Sequence, residues 1–269
     1  MKITILQRDI LWAQPEVNVK RANEAISWLA DTDLFILPEM FSTGFATEPK
    51  GIAENDHSDT LAWMKATAAE RHCALAGSLA VESDGRFYNR FYFVEPDGKV
   101  TTYDKRHLFT YGGEDKRFTR GEERVVVNFR GVRILLEVCY DLRFPVWSRN
   151  RGDYDLIIYV ASWPKSRVEA WSTLLKARAI ENQCYVAGVN RVGSDPACEY
   201  NGCSVILDPY GHTLAACKPD WEMEASANID MDALTAFRRK FPVLDDADEF
   251  EPLPCPPRKG REENKKDEG

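Results

Sequence analysis

The spacing of hydrophobic and polar residues changes along the chain, and each change marks a predicted element. Residues 2–7 alternate in the manner of a strand, whereas apolar residues between positions 19 and 29 recur at spacings of three and four, which is typical of an amphipathic helix. A short apolar run at residues 34–37 indicates a buried strand, and a second helix is predicted over residues 58–73.

A series of strands separated by tight turns is predicted from residue 74 onward. Asp-Gly pairs at 84–85 and 97–98 interrupt apolar segments that continue to Tyr103, and this pattern predicts two consecutive hairpins. A third hairpin is predicted over residues 125–138, with its turn at an Arg-Gly pair. The central segment is therefore expected to consist of strands.

Strands and helices alternate again in the second half of the chain. The predicted elements are a strand at 156–160, a helix at 167–182, a strand at 185–190, a hairpin at 204–217 and a short helix at 232–241. Such alternation favours an α/β fold with a mixed sheet, or with two sheets packed together and helices outside.

Residues 245–269 differ in composition from the rest of the chain, because prolines and charged residues dominate there and apolar residues are few. Such a segment has too little apolar surface to form a packed core, so it is predicted to be an extended or partly disordered tail. Residues 1–244 are predicted to form a single domain.

Composition and charge exclude several classes of protein. With 44% hydrophobic and 29% charged residues over 269 positions, the chain resembles a globular protein with one large core. A net charge of −8 argues against nonspecific nucleic-acid binding, since phosphate-binding proteins concentrate lysine and arginine. The sequence has neither an apolar run long enough to cross a membrane nor a signal peptide, so the protein is expected to be cytoplasmic and to have no membrane contact. Its seven cysteines are therefore expected to be free thiols.

The stretch from Arg133 to Pro145, RILLEVCYDLRFP, is the first candidate for chemistry. A buried strand ends at Cys139, a polar turn follows, and Pro145 suits the first turn of a helix over residues 145–150. A side chain at such a junction is lifted into a cleft, as in the nucleophile elbow of hydrolases, and the amide N–H groups beginning the next helix are free to bind an anion. Unpaired cysteine is also among the most buried residue types, so the partners of Cys139 must decide its role.

Two further predicted strand ends carry charged candidates. Glu39 lies in LPEMFSTGF, Lys105 lies in YDKRHLF, and Glu114 follows in YGGE. Together with EVCYDLRFP, these segments resemble the catalytic motifs of the nitrilase superfamily, carbon–nitrogen hydrolases with a Glu–Lys–Cys triad. The resemblance covers residue 1 to about residue 240. It implies a four-layer αββα sandwich of two mixed sheets with helices outside, and a homodimer whose sheets continue across the subunits.

The resemblance implies a role for each motif residue. Cys139 is the expected nucleophile, and Glu39 is the expected base that takes the thiol proton and later returns it to the leaving ammonia. The ammonium group of Lys105 and the backbone N–H of Tyr140 are the expected donors to the oxyanion. Glu114 is expected to hold Lys105 and to orient the substrate amide. This chemistry requires no metal and no other cofactor.

The residues after the nucleophile resemble the bacterial omega-amidase branch of the superfamily. The segments YDLRFPVWSRN, ASWP and KARAIEN carry this resemblance. Omega-amidases hydrolyse the terminal amide of 2-oxo dicarboxylic acid monoamides such as 2-oxoglutaramate and 2-oxosuccinamate, giving the 2-oxo acid and ammonia. The expected partner is therefore a small amide with a carboxylate at its far end, and Phe41 and Trp163 are expected to form walls of its pocket.

The sequence does not rank the groups that could bind the far carboxylate. Arg143, Arg167, Lys116 and backbone N–H groups are the candidates. Arg143 is also suited to a structural ion pair with Asp141 or Glu181, and this second role is favoured.

Three other functions stay open, besides another amidase or a nitrilase of the superfamily with a different small substrate. A Cys–His hydrolase would use His107, or another of the four histidines, as its base. A zinc-binding module would use Cys198, Cys203, His212 and Cys217, whose spacing loosely resembles that of structural zinc ligands. A noncatalytic scaffold would keep the fold without activity, although all four motif positions hold chemically competent residues.

Overall fold

The computed structural model describes residues 1–248. The strands are β1 (Lys2–Gln7), β2 (Leu34–Ile36), β3 (Glu54–Asn55), β4 (Ala74–Ser83), β5 (Arg86–Val94), β6 (Val100–Asp104), β7 (Val126–Phe129), β8 (Val132–Val138), β9 (Leu156–Ala161), β10 (Tyr185–Asn190), β11 (Val192–Ser194), β12 (Glu199–Asn201), β13 (Val205–Leu207), β14 (Thr213–Ala216) and β15 (Met223–Asn228). The α-helices are α1 (Pro15–Ser27), α2 (Asp59–Arg71), α3 (Pro145–Ser148), α4 (Val168–Asn182) and α5 (Met231–Lys240).

The strands form two large mixed sheets and one small hairpin. The first sheet has the order β15-β1-β2-β4-β5-β6, with β3 paired to β4, and the second has the order β14-β13-β10-β9-β8-β7. In both sheets three central strands run parallel and antiparallel strands lie at the edges. Strands β11 and β12 pair with each other in a separate hairpin.

Alternate residues of the first sheet face two different cores. Leu34 and Ile36 of β2 point into a core shared with the second sheet, whereas Phe35 points outward to a core that includes Ile26 of α1 and Met64 of α2. A strand covered on both faces places apolar side chains on both, because successive side chains point in opposite directions. Helices α1 and α2 therefore form one outer layer.

Helix α4 covers the outer face of the second sheet. Its residues Trp171, Leu175 and Ala179 are buried against that sheet. Gly188 of β10 permits this close approach, because a Cβ atom there would lie 2.4 Å from Leu175 Cδ1. The order of layers is thus helices, sheet, sheet, helix, and the expected αββα sandwich with two mixed sheets is confirmed.

Most predicted elements are present, but four short or polar strands were missed. They are β3, β11, β12 and β15, of which β15 pairs antiparallel with β1 along its whole length. The sequence of β15, MEASAN, lacks the apolar alternation that marks a strand. Most of the predicted tail, from residue 249 onward, lies outside the described residues, so the boundary near residue 244 stays a prediction. Within residues 1–248, no helix is both long enough and apolar enough to cross a membrane.

Candidate active site

The three residues of the predicted Glu–Lys–Cys triad follow the carboxyl ends of three strands. Glu39 lies shortly after β2, whereas Lys105 and Cys139 directly follow β6 and β8. The first two side chains are fully buried, and Cys139 is 9% exposed. Strands of both sheets therefore deliver these side chains to one buried region.

An ammonium group between two carboxylates forms the charged centre of this region. Lys105 Nζ lies 2.8 Å from Glu39 Oε1, and it lies 3.1 Å and 2.9 Å from the two oxygens of Glu114. All three side chains have no solvent exposure. Burial of such charges is tolerated when each is paired and hydrogen-bonded, and Lys105 meets this condition through both glutamates.

Asn89 of β5 joins the same cluster and was missed by the sequence analysis. Its side-chain amide donates to Glu39 Oε1 at 2.7 Å and to Glu114 Oε1 at 3.0 Å. The backbone N–H of Ser162 donates to the other oxygen of Glu39 at 2.8 Å, and the N–H of Phe109 donates to Glu114 Oε2 at 2.6 Å. Each carboxylate is therefore fixed by donors from more than one segment.

Cys139 lies on a sharp turn held by a buried carboxylate. Its φ angle is 46°, in the left-handed region that cysteine rarely adopts. Asp141 supports this turn, since it accepts hydrogen bonds from Val138 N at 3.0 Å and from Tyr103 Oη at 2.8 Å. A 3-10 helix over Cys139–Arg143 follows, so the N–H of Tyr140 is in its first turn, where amides have no acceptor within the helix.

The buried environment changes the proton affinities of these groups. Burial raises the pKa of the Cys139 thiol well above its ordinary value, and the Glu39 carboxylate raises it further through charge and a hydrogen bond. Burial alone would lower the pKa of Lys105, but the charges of Glu114 and Glu39 raise it, so the ammonium form is retained. Burial raises the pKa of Glu114 against the opposing effect of Lys105.

A cavity of about 440 Å³ opens above Cys139. Its walls include Arg143 and Trp163, two of the predicted substrate-binding residues, together with Arg167 and with Tyr140, the predicted oxyanion donor. Its remaining wall is largely aromatic, formed by Trp12, Phe45, Phe109, Tyr111 and Tyr200.

The two cavity arginines lie over aromatic rings. The guanidinium of Arg143 is 4.9 Å from the centre of the Trp163 ring, and that of Arg167 is 5.3 Å from the centre of the Phe109 ring. Trp163 Nε1 also donates to the carbonyl of Arg167 at 2.8 Å, so the ring beneath Arg143 is tied to the backbone of Arg167. Neither has a carboxylate partner within residues 1–248.

The favoured ion pair of Arg143 was therefore wrong. Asp141 is occupied by the backbone and side-chain donors of the turn, and Glu181 pairs with Arg178 at 2.8 Å. Arg143 projects into the cavity instead. Lys116, another candidate, is exposed and does not line the cavity.

Phe41 also lies away from the cavity, contrary to the expectation that it forms a wall. It packs in the core between the first sheet and its helices, where its ring centre is 6.1 Å from that of Trp63 on α2. The chain turns sharply after Glu39, so Phe41 faces the helix layer while the glutamate faces the sheet interface. The aromatic wall is formed by Trp163 and by other aromatic residues that were not predicted to line the pocket, three of which, Phe45, Phe109 and Tyr111, lie in the quoted motif segments.

The alternative sites do not form. His107 Nδ1 lies 2.8 Å from Asp141 Oδ1, and the ring stacks on Phe144 at 3.8 Å, so it braces the turn rather than the thiol. Within residues 1–248, no three His, Cys, Asp or Glu side chains are placed to hold a metal ion, which contradicts the zinc module.

Comparison with known proteins agrees with this arrangement. The chain matches the family model described as carbon-nitrogen hydrolase over residues 2–239. It is 45% identical to the omega-amidase YafV of Escherichia coli (strain K12) over 251 residues, covering 93% of this chain and 98% of that protein. It is 35% identical to the 2-oxoglutaramate amidase of Bacillus subtilis (strain 168) over 250 residues, covering 91% and 96% of the two chains.

A solved structure gives the same result for the fold. The crystal structure of XC1258 from Xanthomonas campestris, described as a CN-hydrolase superfamily protein with an arsenic adduct in the active site, superposes with a TM-score of 0.91. The two chains are 40% identical, and the match covers 93% of this chain and 98% of the other. On its sequence, its fold and its family match, this chain belongs to the carbon–nitrogen hydrolase family.

Proposed function

We propose that the protein is an omega-amidase that hydrolyses the terminal amide of short dicarboxylic acid monoamides, among them 2-oxoglutaramate and 2-oxosuccinamate. One arrangement carries the proposal: Cys139 lies beside the buried Glu–Lys–Glu cluster, at the base of a cavity whose wall holds two arginines without carboxylate partners in residues 1–248. The activities named for the relatives from Escherichia coli and Bacillus subtilis support the same substrate class.

In the first half-reaction, Glu39 takes the proton of Cys139 as the sulfur attacks the amide carbon. The S–C bond forms and the carbonyl oxygen gains the negative charge, which Lys105 Nζ and the Tyr140 N–H stabilise by hydrogen bonds. Glu39 then gives its proton to the amide nitrogen, the C–N bond breaks, and ammonia leaves a thioester behind. Burial and the Glu39 carboxylate raise the pKa of the Cys139 thiol, so the sulfur depends on Glu39 to take its proton as it attacks.

In the second half-reaction, water replaces ammonia. Glu39 takes a proton from water as its oxygen attacks the thioester carbon, and the same donors hold the second oxyanion. The S–C bond then breaks, the sulfur regains its proton from Glu39, and the dicarboxylic acid leaves. Glu114 and Asn89 hold Glu39 and Lys105 in position throughout, through the hydrogen bonds that they make in the free protein.

The far carboxylate of the substrate is assigned to Arg143 and Arg167. Both line the cavity, and both present guanidinium groups that no carboxylate of residues 1–248 neutralises. Replacing either by Gln should lower kcat/KM for succinamate about 10-fold to 100-fold, the effect of losing one charge-assisted hydrogen bond. Lys116→Gln removes an equal charge outside the cavity and serves as the matched control.

A neutral amide separates carboxylate recognition from general damage. Butyramide has no carboxylate, so its kcat/KM should be nearly the same in Arg143→Gln, Arg167→Gln and wild type. Equal losses for succinamate and butyramide would contradict the assignment of the two arginines.

A kinetic comparison of 2-oxoglutaramate, glutamine and a simple nitrile tests the function itself. We expect 2-oxoglutaramate to have the highest kcat/KM of the three, because it combines a primary amide with a 2-oxo acid end. A preference for the nitrile would overturn the proposal and favour a nitrilase.

We also propose that the protein is a homodimer. An apolar patch on the outer surface supports this: Ile180 of α4 is 55% exposed and Tyr210 is 53% exposed. The two are neighbours, because Gly211, the residue after Tyr210, lies against Ile180: a Cβ atom added to Gly211 would be 3.0 Å from Ile180 Cδ1. Tyr210 also packs on Phe237 of α5, with 4.0 Å between the two ring centres. Light scattering should give twice the chain mass for wild type and a lower mass for Ile180→Asp.

A cytoplasmic location is proposed as well. The six cysteines within residues 1–248 are free thiols, as a reducing compartment would keep them. Cell fractionation followed by an amidase assay tests this location, and activity confined to an extracytoplasmic fraction would contradict it.

A further inference from the structure

The cavity is larger than the short acids of the proposed function require. A five-carbon 2-oxo monoamide has about ten non-hydrogen atoms. If each atom is given the roughly 30 Å³ that a water molecule occupies in the liquid, which is a generous allowance, the whole molecule fills about 300 Å³. The cavity measures about 440 Å³, which lies in the range of sites for larger organic ligands. Space is therefore left beyond the reacting amide and the carboxylate.

The surplus space lies at the cavity mouth and has an aromatic lining. Cys139 is 9% exposed, which places it at the base, whereas Trp12 and Tyr111 are 37% and 87% exposed and mark the mouth. Pro196, which is also exposed, lines the cavity and adds apolar surface there. We define this region, bounded by Trp12, Tyr111 and Pro196, as the outer subsite.

The wall beside the outer subsite is a fixed structure. Asp195 Oδ1 accepts from Ala197 N and Cys198 N, each at 2.8 Å, and Tyr200 Oη donates to Asp195 Oδ2 at 2.6 Å. These bonds shape the tip of the β11–β12 hairpin. They also give both oxygens of the Asp195 carboxylate donors from the hairpin itself.

Arg191 attaches this hairpin to the N-terminal segment. Its buried guanidinium lies 4.5 Å from the centre of the Tyr200 ring, and Nη2 donates to Ile10 O at 2.9 Å and to Ser194 O at 3.3 Å. Trp12 follows closely after Ile10 and packs over Gly44, where a Cβ would lie 3.4 Å from its Cε3. Trp12 and Tyr200 are thus held in place before a ligand binds, which lowers the entropy lost on binding.

We propose that the outer subsite binds an aryl substituent of the substrate, so that the enzyme also hydrolyses aryl-substituted dicarboxylic acid monoamides. This inference rests on the proposed omega-amidase function and extends its substrate class. The bonds that change are the same: sulfur displaces ammonia from the primary amide, and water then displaces sulfur from the thioester. The aryl group contacts Trp12 and Tyr111 by edge or face, the geometries that aromatic pairs prefer.

The test compares succinamate with 2-benzylsuccinamate, in which the benzyl group is on the carbon next to the free carboxylate. Burial of the ring should make kcat/KM for the benzyl compound about 10-fold higher in wild type. Trp12→Ala and Tyr111→Ala should each lower that value about 5-fold or more, and by a larger factor than they lower kcat/KM for succinamate. Trp28→Ala, which removes an 87% exposed tryptophan outside the cavity, is the matched control.

Two results would contradict the proposal that the outer subsite binds an aryl group. In the first, the wild type hydrolyses succinamate but not 2-benzylsuccinamate. In the second, Trp12→Ala and Tyr111→Ala lose activity equally toward both compounds. A binding measurement separates this failure from failure of the proposed function. Calorimetry should show that benzylsuccinate binds wild type about 10-fold more tightly than succinate does, whether or not either amide is a substrate. Equal affinities would refute the subsite, whereas selective binding without turnover of any omega-amide would refute only the proposed function.

Discussion

Replacing Lys105 by Met tests how much the buried ammonium group contributes to the stability and the activity of the site. Methionine is similarly long and unbranched, so the substitution removes the charge with little change in packing. It leaves the buried carboxylates of Glu39 and Glu114 facing each other without the ammonium that lies 2.8 Å and 2.9 Å from them.

The substitution should have two separate effects, one on the free energy of unfolding and one on kcat. Breaking a fully buried ion pair by removing one partner costs about 3–5 kcal/mol, because a charge is left uncompensated, so the free energy of unfolding should fall by about this amount near pH 7. Loss of one oxyanion donor should lower kcat by about 100-fold to 1000-fold in addition.

A double variant separates the two effects. Lys105→Met/Glu114→Gln removes one of the two uncompensated carboxylates, so about half of the lost stability, roughly 2 kcal/mol, should return. Activity should not return, since the oxyanion donor is still missing. The measurements are urea unfolding followed by tryptophan fluorescence, and steady-state ammonia release.

The pH dependence of the single variant gives a further check. Burial raises the pKa of Glu114, and Lys105 opposes that rise, so the rise should be larger without Lys105. A carboxyl group whose pKa is raised by folding favours the folded state below its unfolded pKa and loses that contribution as pH rises through the folded pKa. The stability deficit of Lys105→Met should therefore shrink as pH falls toward about 4.3, the ordinary Glu value. A variant as stable as wild type near pH 7, or a double variant no more stable than the single one, would refute the reasoning.

Three further predictions concern neighbouring groups. Asn89→Ala removes two hydrogen bonds to carboxylates and should lower kcat about 10-fold to 1000-fold; an unchanged kcat in steady-state assays would contradict its positioning role. Burial, and to a smaller extent the charge of Asp141, raises the pKa of Glu137 well above its ordinary value. The free energy of unfolding of the wild type should therefore fall as pH rises above about 4.3. Glu137→Gln should make this fall less steep in urea unfolding measured between about pH 5 and 8. The raised pKa of Cys139 predicts that its iodoacetamide alkylation, followed by mass spectrometry, accelerates from about pH 7 to 9; a plateau near pH 7 would show a thiolate already formed.

The sequence predicted the reactive centre because each of its members carries a local signal. Glu39, Lys105 and Cys139 each follow an apolar strand and lie in a distinctive motif, so their meeting at strand ends could be expected. Asn89 gave no such signal, since it is an asparagine within an ordinary strand, RFYNRFYFV. Its importance comes from its place beside Lys105, whose backbone N–H donates to the Asn89 carbonyl at 3.0 Å, and this depends on strand pairing.

The direction of side chains in turns was the least predictable feature. Phe41 and Arg143 lie close in sequence to catalytic residues, yet the first packs against Trp63 in the helix layer and the second lines the cavity. In a strand the alternation of side chains would have decided their directions, but Phe41 lies in a turn and Arg143 ends a 3-10 helix. The strand β15 was missed for a different reason, because its pairing with β1 depends on long-range contact rather than on apolar periodicity.

Trapping the acyl-enzyme tests the central claim most directly, namely that Cys139 attacks the amide beside Glu39 and Lys105. Wild-type protein would be mixed with succinamate, quenched in acid during turnover and examined by peptide mass spectrometry. We predict a mass increase equal to one succinyl group on the peptide containing Cys139, and neither adduct nor turnover in Cys139→Ala. Turnover by Cys139→Ala, or an adduct on another cysteine such as Cys198, would contradict the account.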